Sequence, residues 1–404
     1  KLMKLTNNNT NFSIFTYLFL FSFFTYSQEN ILVKGSVFDE NNYEIPYAAV
    51  GIVKKYIGTS STDEGTFSFI ITTKELDDTL KISSIGFDTF KINVRDFINR
   101  NDKKIILKEK LTQLNEVIVL SPDNYVKTAM KKLKNNTISK NHQLKILYRR
   151  WSVEDNICRY YIEHFINAID RGPSSYLSSF SVEHSRKSSE YRFIKNEQKI
   201  HALKYMELNN PLRKNIPFKD YNWKKINNST YDGEDIIIVE GKRSYLNERL
   251  RFYIGFDTSR IYKLEMSKVP EGGKAFEATY IYKKNKEGKL YLSYHNREWS
   301  GSIKFPENIR KRKEYLGEKV PIYVPLAYRH EVFVINLEEN KNMFDYSGIS
   351  GNMDMTLFKV PYDSIFWKNI SLPPETSFFK KNIKELESLY DVPIETQFKY
   401  SNRN

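Results

Sequence analysis

Cysteine is almost missing from this chain. Cys158 is the single one in 404 residues, which excludes a disulfide framework and every zinc or iron–sulfur site built from several thiolates. Long apolar runs are missing as well: beyond residue 26 no uncharged stretch is long enough to span a bilayer, which takes about 20 apolar residues. The common catalytic signatures are absent too. His330-Glu331 begins no H-E-x-x-H, because Val334 occupies the place of the second histidine. No G-x-S-x-G occurs, and Gly348-Ile349-Ser350-Gly351 reads as a loop. No glycine-rich phosphate cradle or dinucleotide fingerprint is found either.

Aromatic residues, by contrast, are plentiful. With 28 Tyr and 27 Phe, and 40% apolar residues overall, the chain can build packed cores, and its length suggests two or three domains. The formal charge is +14, a surplus that first suggests nucleic acid or an anionic surface. Its distribution points elsewhere. Lysines are interleaved with acids, and the densest basic cluster is only Arg310-Lys311-Arg312-Lys313. A lysine-rich solvated surface follows.

The N-terminus sets the expected compartment. Lys4 precedes Phe12–Tyr26, a short uncharged apolar core, with Thr25 and Ser27 small at its end. This describes a signal peptide over residues 1–27, cleaved after Ser27. No cysteine follows closely, so no lipid-modified N-terminus is expected. The mature chain is then exported, periplasmic or outer-membrane-associated, without a spanning segment and without nucleic acid as a partner.

Residues 28–110 read as short strands between turn signals, the pattern of a β-sandwich. The strands expected are Ile31–Phe38, Ala48–Val53, Thr66–Thr72, Thr79–Ser84, Phe87–Val94 and Lys104–Leu107. Val33–Ile70 and Leu80–Ile92 together resemble the carboxypeptidase-regulatory-like domain. The resemblance is carried by Gly35, Asp39, Pro46, Ala49, Val50, Gly58, Thr62, Asp63, Gly65, Phe67, Ser83 and Gly86. It implies a transthyretin-type sandwich of the kind found at the N-termini of Bacteroidetes envelope proteins, and it implies no peptidase activity. Each of these residues reads as a turn, a core position or a close approach. Leu114–Val119 resembles the lead into a receptor plug, but the residues that follow are too few for a plug and a 22-stranded barrel.

Residues 111–143 read as a linker and a helix opened by Ser121 as N-cap and Pro122 at the first position. Val126, Ala129, Met130 and Leu133 give it one apolar stripe. Residues 144–371 read as a larger antiparallel domain. Its clearest part is the meander Asp235–Gly241, Arg249–Phe256, Arg260–Lys268, Ala275–Lys283 and Lys289–Arg297, which Tyr328–Leu337 could extend. The fold class expected is mainly β: a transthyretin-like sandwich, then a larger antiparallel sheet with a packed helix that could curve into a half-barrel. Arg249–Ser267 is similar to a strand–turn–strand unit of the periplasmic lipoprotein carriers. The helix, Tyr148-Arg149-Arg150 and Tyr362–Thr376 resemble Bacteroidetes proteins in which such a region follows the sandwich, a resemblance that implies no activity. Residues 372–404 read as a C-terminal tail with a short helix at Lys381–Leu389.

For chemistry, His295-Asn296-Arg297-Glu298 matches H-x-x-E, the first half of a metallocarboxypeptidase site. With 6 His and 49 acidic residues, one such match is expected by chance. On a strand, residues three apart point to opposite faces, so two ligands do not converge on one ion. Glu154-Asp155 reads as a solvated turn and Cys158 as a buried thiol. No catalytic residue, metal or cofactor is assigned. What remains is a set of sheet aromatics that could line an apolar or glycan site: Trp151, Phe252, Tyr280, Tyr282, Tyr291 and Trp299, with Tyr294 beside them. The function expected is that of an envelope binding or adaptor protein without catalysis, its partner an envelope protein or an apolar ligand. Two rivals stand beside it. A carrier of a lipid or lipoprotein acyl chain demands a continuous apolar cavity, and a hydrolase of another type demands at least two convergent ionisable side chains in a pocket.

Overall fold

The computed structural model describes residues 30–110, 120–195, 201–269 and 275–401. The expected signal peptide and Leu114–Val119 lie outside the described residues. Among the described residues, no helix is long and apolar enough to cross a membrane.

The first unit is a sandwich of two small sheets. One holds β1 (Ile31–Phe38) between β4 (Thr66–Ile71) and β7 (Lys104–Ile106); the other runs β3 (Gly58–Ser60), β2 (Ala49–Ile52), β5 (Thr79–Ser83), β6 (Phe90–Asn93). Strict alternation builds it. In β4, Phe67, Phe69 and Ile71 are buried while Thr66, Ser68 and Ile70 are half-buried. Those three meet Val33, Val37, Val50, Leu80 and Ile105 in one core.

Two features depart from the expected strands. The expected strand Phe87–Val94 is only Phe90–Asn93, because the Asn93 side chain accepts the N–H groups of Arg95 and Asp96 and opens helix α1 (Val94–Asn99). Strand β3 was not expected, and it depends on Gly58. Its φ is +155° and a Cβ there would lie 2.3 Å from the Val50 carbonyl oxygen, so only glycine lets β2 and β3 pair. Gly35, Gly65 and Phe67 sit within the sandwich. Asp39 closes its turn by accepting from the N–H groups of Asn41 and Tyr43, and Pro46 sits in the turn before β2.

Helix α2 (Pro122–Asn136) spans the expected residues and buries Val126, Ala129 and Leu133. Ser121 is at the N-cap position, but its side chain accepts no helix N–H, so the expected side-chain cap is corrected. Pro122 with its fixed φ starts the helix instead.

Ten strands form the large sheet, in the order β10 (Leu177–Lys187), β9 (Ile157–Asp170), β8 (His142–Glu154), β17 (Tyr323–Glu338), β16 (Leu290–Lys304), β15 (Ala275–Lys284), β14 (Ile261–Lys268), β13 (Glu248–Gly255), β12 (Glu234–Arg243), β11 (Asn222–Tyr231). All neighbours are antiparallel, and β10 and β11 are its two edges. The expected meander forms β12–β16. Strand β17 does extend it, and it also joins the meander to the earlier strands through β8.

Alternation gives this sheet two faces with different covers. Helix α2 packs on Val239, Leu250 and Phe252 of one face, and this helix-bearing face also receives residues from the 201–221 and 354–358 segments. The opposite face meets the sandwich across β15–β17 and, across β8 and β9, helices α3 (Ser377–Ser388) and α4 (Ile394–Ser401). Phe379, Leu386 and Phe398 of those two helices pack with Trp151, Cys158 and Tyr161. The expected tail is therefore a part of the core.

Candidate functional site

The structure separates the expected aromatic set. Phe252, Tyr280 and Tyr282 share one apolar cluster on the helix-bearing face, and Trp299 stands on that face against Tyr328, ring centres 5.6 Å apart. Trp151 is on the opposite face, edge-on to Phe378 at 5.3 Å and Phe379 at 6.2 Å. Tyr291 lines a cavity at the sandwich, and Tyr294 stacks on Tyr47 of the sandwich at 4.5 Å. The residues therefore do not form one surface. A bulge in β16 between Leu292 and Tyr294 turns His295 to the face of Tyr280 and Tyr294 to the other.

Between Tyr280 and Tyr148 the helix-bearing face is polar. His295 stacks on Tyr280 at 4.4 Å, and its Nδ1 is 3.0 Å from the Glu207 carboxylate. His330 shares a hydrogen bond of 3.0 Å with the Tyr148 hydroxyl, and the His201 ring lies 5.3 Å from that of His330 and 4.3 Å from that of Tyr328. Arg150 is held by Asp354 at 3.0 Å. These side chains are nearly sealed: His201, His295 and His330 are 2%, 1% and 3% exposed. Burial pushes His201 and His330 far below the ordinary imidazole range, with neighbouring cations adding to the effect, so both are neutral. His164, bonded to the Met355 carbonyl, is pushed down to about 3, first by burial and then by Lys187.

Among the described residues, several polar atoms here have no hydrogen-bond partner, including both ring nitrogens of His201 and the hydroxyls of Tyr280 and Tyr328. The cluster was missed from sequence, although a period of two was there to be read: Tyr148 and Arg150, His295 and Arg297, Tyr328 and His330 alternate with Arg149, Asn296 and Arg329, which belong to the opposite face. Glu298, the other half of the H-x-x-E match, faces away from His295 and lies 3.4 Å from Arg329. Among the described residues no three His, Cys, Asp or Glu side chains come together as metal ligands would. Cys158 is fully buried, and burial holds its thiol far above the usual range.

Open space lies elsewhere, along the seam between the sandwich and the large sheet. One cavity of about 290 Å³ is walled by Tyr47 and Ile85 of the sandwich and by Ile238, Tyr253, Tyr262 and Ile281 of the sheet. A second, of about 280 Å³, adjoins it; Ala49, Ser83 and Tyr231 line both. The seam itself is specific. Arg329 donates to Asp63 at 2.8 Å, Asn296 donates to the Tyr47 hydroxyl at 3.3 Å, and Lys81 pairs with Asp232 at 2.6 Å. Gly86, at φ +93°, gives its N–H to the Thr230 carbonyl, so the turn between β5 and β6 is docked on edge strand β11.

This sandwich is what comparison with known families identifies. Residues 33–119 match the CarboxypepD_reg-like domain. The match covers the signature residues and ends among residues outside the description. No curated protein matches the sequence. Among solved structures, the chain is similar to a putative outer membrane lipoprotein-sorting protein domain from Vibrio parahaemolyticus, with 8% identity and a TM-score of 0.28 over 55% of this chain and 97% of that one. It is also similar to a LolA superfamily protein from Nitrosomonas europaea, with 11% identity and a TM-score of 0.25 over 54% and 96%. A DUF1329 family protein from Desulfovibrio piger gives 11% and 0.26 over 56% and 95%. Likenesses this low assign no ligand. The CarboxypepD_reg-like domain contributes to the seam the β2–β3 hairpin, Tyr47 and the Gly86 turn, and those contacts define the candidate site.

Proposed function

We propose that this is an exported, non-catalytic binding protein of the cell envelope, and that its ligand sits in the seam between the CarboxypepD_reg-like domain and the large sheet. One contrast carries the reading. Phe252, Tyr280 and Tyr282 are covered by the chain itself to 1% exposure or less, whereas the seam holds a cavity of about 290 Å³ walled by isoleucines and tyrosines. That volume lies at the lower end of small-molecule sites, and its lining is mostly apolar and aromatic, with a few hydroxyls and the charged Asp39, Glu44 and Lys263 as its polar groups, the mixture such sites use. The convergent histidines support a binding role less well, because segments 201–221 and 354–358 cover them. Export rests on the basic start and apolar run at residues 4–26. A carrier of an acyl chain is the narrower form of the same reading, with the chain entering at Tyr47 and Ile281 rather than on the helix-bearing face.

Native mass spectrometry of the protein purified from its own envelope fraction tests this. The expected result is an added mass of a few hundred daltons that is absent from Ile281→Trp, a variant that fills the cavity. A bare polypeptide mass in the unaltered protein overturns seam binding. The adaptor role then remains, to be pursued by crosslinking to a protein partner.

A further inference from the structure

The second seam cavity differs from the first in its charge. Six lysines line it, Lys54, Lys55, Lys81, Lys283, Lys284 and Lys286, against one acid, Asp232. Three of them are answered. Lys55 reaches Glu75 at 2.9 Å and Asp78 at 2.6 Å, Lys81 reaches Asp232 at 2.6 Å, and Lys284 stands 3.9 Å from both Asp232 and Glu234. Among the described residues, no carboxylate pairs with Lys54, Lys283 or Lys286. Lys54 and Lys286 are exposed, and the Lys286 ammonium sits 4.9 Å from the centre of the Tyr56 ring.

Lys283 is the unusual one. It is opposite Tyr291 in the β15–β16 register, is half-buried, and crosses the seam to donate to the Thr59 carbonyl. An ammonium has three donors, and this carbonyl takes one. With no carboxylate among the described residues acting on it, desolvation alone pushes the amine down to about 7. An amine in that position is stabilised by any anion that enters the cavity, because the anion supplies the missing counter-charge in a poorly hydrated place. Val50, Ile52, Tyr56 and Tyr231 add apolar or aromatic wall beside the polar Ser83, Asn285 and Asn336, and Tyr231 is shared with the adjoining, mostly apolar cavity.

We propose that this cavity takes the anionic head of an amphipathic ligand, a phosphate or carboxylate set against Lys283 with Lys54 and Lys286 at its mouth, while the adjoining cavity beneath Tyr47 takes the apolar part. The proposal rests on the seam reading above and adds to it the ligand's charge and polarity. The anion could belong to a lipid headgroup or to a free phosphate, and the two are separable by experiment.

The test is calorimetric titration of the full mature chain at pH 7 with dodecyl phosphate below its micellar concentration, dodecanol and inorganic phosphate. Dodecyl phosphate should bind at least tenfold more tightly than dodecanol. Lys283→Met should remove that preference and leave dodecanol binding unchanged. Should that variant misfold by circular dichroism, the exposed pair Lys54→Met/Lys286→Met should still weaken dodecyl phosphate about threefold. Competition by millimolar inorganic phosphate identifies a site satisfied by the free anion; its failure to compete identifies a lipid-type anion anchored by its tail. Equal binding of the two dodecyl ligands overturns the anion site and leaves the seam reading standing. Binding of neither overturns both.

Discussion

Glu163 lies under the C-terminal helices with an arginine on either side. Arg149 donates to it at 2.6 Å, and Arg186 donates to its other oxygen. Burial would raise this carboxyl, but Arg186 and Arg149 together hold it below its ordinary value. The arginines in turn lie over aromatic rings, Arg149 at 5.1 Å from the Phe379 centre and Arg186 at 4.6 Å from that of Trp367. Removing the single negative charge leaves two buried cations facing each other. Glu163→Gln is therefore expected to cost about 3–5 kcal/mol, read as a lower urea midpoint at unchanged slope, with partial recovery on adding Arg149→Met.

The buried imidazoles make a second expectation at this scale. His164, His201 and His330 have folded pKa values depressed below the unfolded 6.5. A base depressed in the folded state makes the unfolded chain bind more protons between the two values, so stability falls as pH drops through 6.5 toward about 3. Three such groups give a slope approaching about 4 kcal/mol per pH unit once the unfolded imidazoles are charged. Urea unfolding at pH 7, 5.5 and 4.5 measures it. A flat profile over that range would show that these rings are protonated in the folded protein.

At the scale of elements, legibility followed solvent exposure. Strand β4 and helix α2 each have one wet side, so their periods of two and 3.6 appear in the sequence and both were placed to within a residue or two. Strand β9 has no wet side: twelve of its fourteen residues are buried, from Cys158 and Tyr160 through Asp170. Both faces are covered and alternation vanishes. Cys158, Tyr160 and Tyr161 read as an aromatic strand, but the following run that mixes Glu163, His164 and Asn167 with apolar residues gives no sign of its length or of its place inside the sheet. Helix α1 was missed for another reason. At six residues it is too short for a stripe, and what marks it is the Asn93 cap. The two helix starts therefore make a paired prediction. Asn93→Ala should cost about 1 kcal/mol, because two N–H groups lose their acceptor. Ser121→Ala should cost well under half of that, because its side chain caps nothing. Chemical denaturation of the two variants side by side decides it, and equal costs would mean that the start of α2 depends on Ser121 after all.

Across the whole molecule, the sandwich and the large sheet meet through residues that no local pattern connects. Asp63 and Arg329 are 266 positions apart and Tyr47 and Asn296 are 249 apart, so each half could be read while the seam could not. The seam also explains why the aromatic set was misjudged. Tyr291 and Tyr294 are three apart on β16, so a period of two assigns them to opposite faces, yet the bulge puts both on the side of the first domain, where they serve the junction. If these contacts bind the halves into one cooperative unit, calorimetry of the intact chain should show a single transition. Arg329 is a poor residue for testing this, because it also pairs with the buried Glu331 at 2.7 Å and its loss would damage the sheet itself. Tyr47 and Asp63 belong to the sandwich side and reach the sheet only at the seam. Tyr47→Ala removes the 4.5 Å stack on Tyr294, an aromatic truncation costing about 3 kcal/mol or less at a half-buried site, and Asp63→Asn removes a pair worth about 1 kcal/mol or less. The double variant is expected to split the transition, with the sandwich melting first and the large sheet keeping the midpoint of the intact protein. It should also lose the seam ligand, since Tyr47 walls the apolar cavity. A single transition merely shifted to lower temperature would instead place the coupling in the remaining contacts, Lys81 with Asp232 and the Gly86 turn on β11.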